Sequence, residues 1–196
     1  MSADAPDPGP GLGLGPGEPA HAGLGEDGKA DIAALARLVV ARYTQAGWTL
    51  ATAESCTGGL VAAAITDIAG SSAVLDRGFV TYSNQAKIDL VGVDPAALDA
   101  HGAVSETVAR QMAEGARKQA GVTVAVSITG IAGPGGGSAE KPVGLVHFAC
   151  AGPGGTVHRE ERFGDLGRAG IRTASVVVAL EMLAGAVEPR EDGSPD

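Results

Sequence analysis

Apolar side chains recur at three- and four-residue intervals over Ile32, Leu35, Leu38 and Val39, a spacing that predicts an amphipathic helix closing near Gly47. Trp48 to Ala53 reads as a strand. The turn Glu54-Ser55-Cys56-Thr57-Gly58-Gly59 follows, then a small-residue helix from Leu60 to Ile68 ended by Gly70, and a second strand from Ala73 to Tyr82. Ser83 opens a helix through Leu90, and Val104-Ser105 opens another that runs to about Gln119 with Ser105 as its N-cap. Val122 to Ile128 is almost wholly apolar and β-branched, the pattern of a strand covered on both faces. Val143 to Ala149 and Thr156 to Phe163 read as a hairpin across Gly152-Pro153-Gly154-Gly155, and Arg168 to Leu183 as a closing helix. Strands alternating with helices, followed by a hairpin, predict one α/β domain: a three-layer α/β/α sandwich around a mixed sheet.

Both ends break this pattern. Residues 1–29 hold five prolines and eight glycines with only scattered leucines, which predicts a disordered tail, and 188–196 reads as a second; the folded domain is expected over 30–187. The net charge is −9, of which the first 29 residues carry −4 and the last ten −3, leaving −2 for the core. That sign, with aromatics at 3% of the 196 residues, argues against a nucleic-acid partner. No run of eighteen apolar residues is present and the opening MSADAPDPGP lacks the order of a signal peptide, so no membrane partner and a cytoplasmic location are expected. Cys56 and Cys150 are too few for a disulfide framework or a four-ligand zinc site.

The chemistry concentrates in three segments. Thr52 to Gly59 joins a strand end to a helix start, where unpaired backbone N–H groups gather. Ser55 is the natural nucleophile there, with Thr57, Gly58 and Gly59 offering main-chain donors to an oxyanion; the same residues also fit a plain cap beside a tight turn. A serine hydroxyl needs a base to react. Of the four histidines, His21 falls in the tail, His101 and His158 read as loop and edge positions, and His147 as a core residue of an apolar strand. The other type of base is a lysine kept neutral by burial. Lys87 sits about one turn inside a helix among Ile88, Leu90 and Val91, and Tyr82 ends the strand before it. Both reach the edge that holds Ser55 if the two strands lie parallel and adjacent; otherwise they are a surface lysine and a strand-end tyrosine.

Cys56, as a thiolate at a helix N-terminus, is the competing nucleophile. Ser127 to Gly144 carries six glycines, enough for a loop that wraps a ligand or for a simple connector, and it lacks the lysine of a P-loop. Arg168 and Arg172 open the last helix, where an arginine clamps a phosphate or faces solvent. No His, Asp and Cys cluster has metal-ligand spacing, so neither a metal nor a cofactor is expected.

Four segments together, Ala53–Gly59 (AESCTGG), Val80–Lys87 (VTYSNQAK), Gly102–Arg117 (GAVSETVARQMAEGAR) and Thr129–Val146 (TGIAGPGGGSAEKPVGLV), closely resemble the C-terminal domain of the CinA (competence/damage-inducible) family, over residues 31–187. The resemblance implies a nicotinamide-nucleotide amidohydrolase, converting nicotinamide mononucleotide to nicotinate mononucleotide and ammonia in pyridine nucleotide salvage, as a homodimer. It implies Ser55 as nucleophile, Lys87 as general base taking the proton directly or through Tyr82 beside them, Thr129, Gly130, Ile131 and Ala132 as the ligand-contacting loop whose main chain is the alternative to the Thr57–Gly59 turn for an oxyanion, and Arg172 as a substrate-holding arginine. The family's Gly-Asp-Arg run departs here to Gly164-Asp165-Leu166, with Arg168 displaced, so Arg168 and Arg172 compete for that role. Two other functions share these motifs: a non-catalytic pyridine-nucleotide-binding module and a serine amidase for another amide.

Overall fold

A computed structural model describes residues 26–187. The expected tails lie outside the described residues except for 26–29, which belong to the first helix, α1 (Glu26–Ala46). The helix begins before the first residue of the apolar stripe, Ile32. The chain continues through β1 (Leu50–Glu54), α2 (Leu60–Thr66), a 3₁₀ turn at Ser71–Ala73, β2 (Leu75–Val80), α3 (Asn84–Val91), α4 (Pro95–His101), α5 (Glu106–Ala120), β3 (Val124–Gly130), β4 (Leu145–Gly152), β5 (Gly155–Arg162) and α6 (Gly167–Ala186). Apolar spacing does not predict helix α4. Its signal is local: the Asp94 side chain accepts from Ala96 N at 2.9 Å and Pro95 takes the first helical position, where its missing N–H costs nothing.

The five strands form one sheet in the order β2-β1-β3-β4-β5. β1 runs parallel to both β2 and β3, while β4 and β5 return antiparallel. The sandwich is therefore mixed, as its strand–helix alternation and closing hairpin predict. Alternate residues of the central strands face two layers. Val124, Val126 and Ile128 of β3 meet α1, α2 and α6 in the larger core, together with Tyr43, Ile65 and Leu180. Ala51, Ala53 and Ala125 face α3, α4 and α5 through Val91, Leu98 and Met112. Helix α6 is long and apolar enough to cross a membrane by length and composition; here its buried face packs on the sheet, and Arg42 and Tyr43 donate to the carbonyls of Ala184 and Leu183.

Small residues on this second face let the helices approach closely. A Cβ on Gly115 of α5 would lie 1.7 Å from the Val91 carbonyl oxygen, so only glycine permits this contact with the end of α3. That contact fixes α3, and with it Lys87, against the C-terminal ends of the parallel strands.

Candidate active site

Glu54 organises the turn and is the residue the sequence patterns do not single out. Its side chain is fully buried at the end of β1. The carboxylate accepts from the N–H groups of Gly59 (2.9 Å), Val61 (3.1 Å) and Ala62 (2.9 Å) and from Thr52 Oγ1 (3.1 Å). A buried charge survives only when its lone pairs are so satisfied, and negative charge at a helix start is favourable. Once β1 is known to be buried throughout, an acid closing it needs donors, and the helix start five residues on supplies them. The consequence corrects an expectation. The N–H of Gly59 serves Glu54, and that of Gly58 donates to the Ser55 carbonyl at 3.1 Å, so neither is free to hold an oxyanion. Among the described residues the N–H of Thr57 has no acceptor.

Ser55 follows directly, wedged between two strand ends. Its N–H donates to the Ile128 carbonyl at 2.9 Å, while Thr81 N–H donates to the Glu54 carbonyl at 2.8 Å on the other side. β1 and β2 are indeed parallel neighbours, which is the condition for Lys87 to reach this edge. Lys87 lies in α3, whose N-cap Ser83 accepts from Ala86 N at 3.0 Å. Its Nζ stands 3.2 Å from Ser55 Oγ and donates to the Thr81 carbonyl at 2.8 Å. Lys87 is 1% exposed, and no carboxylate lies within ion-pair distance among the described residues. Burial holds its amine below the ordinary lysine range, with the neighbouring Cys56 opposing this weakly. An uncharged amine beside a serine hydroxyl is a proton acceptor for it.

Cys56 sits next to this pair, yet burial pushes its thiol up to about 11, so near neutral pH it carries no thiolate. Two hydroxyls flanking Ser55, Thr57 Oγ1 and Thr81 Oγ1, are buried without hydrogen-bond partners among the described residues. They are polar capacity that the fold itself does not use, at a position where each such group costs about 1–3 kcal/mol.

The remaining expected site residues divide. Tyr82 is 61% exposed, and its hydroxyl accepts from Arg168 Nη2 at 3.2 Å; no hydrogen bond joins it to Ser55 or Lys87, so a proton relay through Tyr82 has no path in this arrangement. Lys87 takes the backbone of the preceding residue, Thr81, instead. Thr129 Oγ1 donates to the Ala103 carbonyl at 2.8 Å and Ile131 N to the Leu145 carbonyl at 2.9 Å, which engages both groups structurally. Gly130 is required by packing, since a Cβ there would meet Val146 Cγ2 at 2.6 Å, and Ala132 is buried in the larger core. Arg172 donates from Nε to the Cys56 carbonyl (3.1 Å) and from Nη2 to the Thr57 carbonyl (2.9 Å). Arg168 lies one turn earlier and also donates to the Gly133 carbonyl at 2.9 Å. His147 is a core residue as expected, paired with His158 and outside the Ser55 network. Among the described residues no group of three or more His, Cys, Asp or Glu side chains converges as a metal site.

Comparison with known proteins places the chain and its fold. The CinA C-terminal domain family profile matches residues 32–187. A CinA-like protein of Anaeromyxobacter dehalogenans (strain 2CP-C) is 56% identical over 148 residues, 74% of this chain and 36% of its own length. The nicotinamide-nucleotide amidohydrolase PncC of Enterobacter agglomerans is 56% identical over 137 residues, 69% of this chain and 82% of its own length. The chain thus spans about a third of the length of the CinA-like relatives and most of the PncC protein. The crystal structure of the competence/damage inducible protein CihA from Agrobacterium tumefaciens superposes with a TM-score of 0.79 at 56% identity, covering 81% of this chain and 96% of that one.

Proposed function

This chain belongs to the CinA C-terminal domain family, and from that premise we propose that it hydrolyses the carboxamide of nicotinamide mononucleotide to nicotinate mononucleotide and ammonia, as a step of pyridine nucleotide salvage. The observation that carries the proposal is the buried Lys87 amine, 3.2 Å from Ser55 Oγ and, among the described residues, with no carboxylate at ion-pair distance. The name of the PncC relative, at 56% identity, supports the substrate.

Ser55 Oγ attacks the carboxamide carbon as its proton passes to Lys87 Nζ, and the carbonyl electron pair moves onto oxygen. Thr81 O holds the amine in place through the transfer. The tetrahedral oxyanion takes a main-chain donor, and Thr57 N–H is the member of the expected turn set that the fold leaves unpaired. One such donor is typically worth about 3–4 kcal/mol in the transition state. The Lys87 ammonium then protonates the departing nitrogen, releasing ammonia and an acyl-Ser55 ester. Water, deprotonated by the regenerated amine, cleaves that ester and restores the Ser55 hydroxyl.

A binding module with no chemistry needs neither the Ser55 hydroxyl nor a buried amine, and retention of both favours the enzyme. The test is ammonia release from nicotinamide mononucleotide by the wild-type protein and by Ser55→Ala. Turnover by the wild type, with a loss of about 10⁴-fold or more in the variant, is expected. Mononucleotide binding without ammonia release would leave the binding module, and turnover confined to a different amide would leave the third reading.

A further inference from the structure

The pairing of β1 with β2 runs one residue past the end of β2. Glu54 pairs with Val80, and Thr81 N–H then donates to the Glu54 carbonyl at 2.8 Å, which sets Thr81 beside Ser55. Adjacent strands lie about 4.8 Å apart, and their side chains alternate between the two layers. Phe79 packs into the core that α3 and α5 share, while Val80 turns to the start of α2, where a Cβ on Gly59 would lie 3.8 Å from its Cγ2. Thr81 therefore returns to the α3 face, on which Ser55 meets Lys87. Its side chain is fully buried and its hydroxyl has no partner among the described residues, although its own carbonyl accepts from Lys87 Nζ at 2.8 Å.

The proton count at Nζ gives this hydroxyl a use. A neutral amine has two N–H donors and a lone pair, whereas the ammonium has three N–H donors and no acceptor. Ser55 Oγ at 3.2 Å and the Thr81 carbonyl at 2.8 Å account for two of the three. The third N–H of the charged form needs an acceptor in a buried site, where an unpaired donor on a cation is costly. The charged groups around α3 are committed elsewhere. On α5, Glu106 binds Arg110, Glu114 accepts from Thr156 Oγ1, Arg117 donates to the Thr123 carbonyl, and Lys118 is exposed. Glu54 turns its carboxylate to the start of α2, Asp76 and Arg77 of β2 pair with each other, and Asp89 of α3 accepts from Gln85. Cys56 is the titratable neighbour that bears on Lys87.

We propose that Thr81 is a positioning residue for the Ser55–Lys87 pair, its hydroxyl oxygen accepting the third N–H of the Lys87 ammonium once the Ser55 proton has moved and giving it up as the amine is restored. No covalent bond to Thr81 forms or breaks. The hydroxyl is idle in the resting state and engaged in the charged one, so it favours the chemical step over the fold. The proposal rests on the amidohydrolase reading for turnover, and on Lys87 alone for acid–base behaviour.

Thr81→Val keeps the branched shape and removes the hydroxyl, Thr81→Ala is a second hydroxyl-free form, and Thr81→Ser keeps the hydroxyl. Ammonia release from nicotinamide mononucleotide is measured across pH, together with the denaturation midpoint. The charge on Lys87 is followed directly through isotope-labelled lysine ε-carbons; it is one of four lysines, and its signal is assigned by its loss in Lys87→Met. Thr81→Val is expected to lower kcat roughly tenfold or more with KM nearly unchanged. Loss of an acceptor disfavours the ammonium, so the acid limb of kcat/KM and the Lys87 titration both move down by about one pH unit. The midpoint at pH 7 does not fall, because the hydroxyl removed has no partner in the resting state. Thr81→Ala repeats the kinetic and titration changes, and Thr81→Ser stays within about threefold of the wild type.

An undiminished kcat with an unmoved Lys87 titration in Thr81→Val overturns the proposal, as does a serine variant as impaired as the valine one. If the titration moves in Thr81→Val while the wild type releases no ammonia, the amidohydrolase reading falls and the Thr81 assignment stands. Ammonia release with an unmoved titration does the reverse.

Discussion

Two pairs of ionisable or nucleophilic side chains, one buried and one part-buried, lie in the same layer, between the sheet and helices α3 to α5. Lys87 and Ser55 approach to 3.2 Å at the end of the parallel strands; His147 Nδ1 and His158 Nε2 approach to 3.0 Å on the antiparallel half, with their rings stacked. Their surroundings differ. The histidines are flanked by carboxylates at both outer nitrogens, Glu160 at 3.9 Å and Glu106 at 3.7 Å, and Glu106 is in turn bound by Arg110. Among the described residues Lys87 has no acid within ion-pair distance. The paired rings and their carboxylate neighbours tie β4 and β5 to α5, which serves cohesion of the layer. A buried amine without a carboxylate neighbour is driven to the neutral form, which is costly for folding and useful only to chemistry.

Lys87→Met should break the first pair with the largest effect and in two opposite directions. Ammonia release falls by about 10⁴-fold or more. Unfolding free energy at pH 7 rises by about 1 kcal/mol, because a buried amine is replaced by an apolar chain of similar length. The sign with pH is fixed: the depressed lysine binds its proton in the unfolded chain before it does in the folded one, so wild-type stability rises with pH up to the ordinary lysine range. Denaturant titrations should therefore show the advantage of Lys87→Met shrinking toward pH 10, and a constant gap would show that Lys87 is not held neutral.

Glu54→Gln is next. It presents an amide to donors that require an acceptor, so the denaturation midpoint should drop by the equivalent of roughly 2–3 kcal/mol. An unchanged midpoint would mean that the carboxylate is not what holds the start of α2. His147→Phe has a smaller effect. Burial lowers the His147 pKa, so the unfolded chain protonates first on acidification and part of the wild-type stability is lost as pH falls through about 6.5. The variant should lack that part, so its denaturation midpoint changes less than the wild type's between pH 7 and 5, while ammonia release stays within about threefold. A collapse of turnover would make the two pairs one system. Smallest of all, Cys56→Ala should keep nearly full activity, and its inactivation together with an active Ser55→Ala protein would transfer the nucleophile to the thiol.

The repeating patterns gave away the architecture because each strand and helix reports its own buried face. Val122 to Ile128 declared a two-sided strand, and the stretch from Ser83 a capped helix. Where the reading missed α4, the information lay in a cap and a proline, too short a stretch for periodicity to register. Ser55 and Lys87 were legible as residue types in suggestive places. Glu54 was not, because an acid before a glycine-rich turn looks solvent-bound until the burial of β1 is known.

From the chain itself, then, came the alternation of strands and helices, the glycines at the turn and the pair of candidates 32 residues apart. Tertiary structure decided that β1 and β2 are parallel neighbours, that the Lys87 amine is enclosed without an acid, that Tyr82 faces outward, and that the two arginines of α6 have separate partners. The division has a physical cause. Secondary structure follows from local backbone and burial preferences, whereas the protonation of an amine and the free donors of an arginine depend on distant groups that only folding brings within a few ångströms.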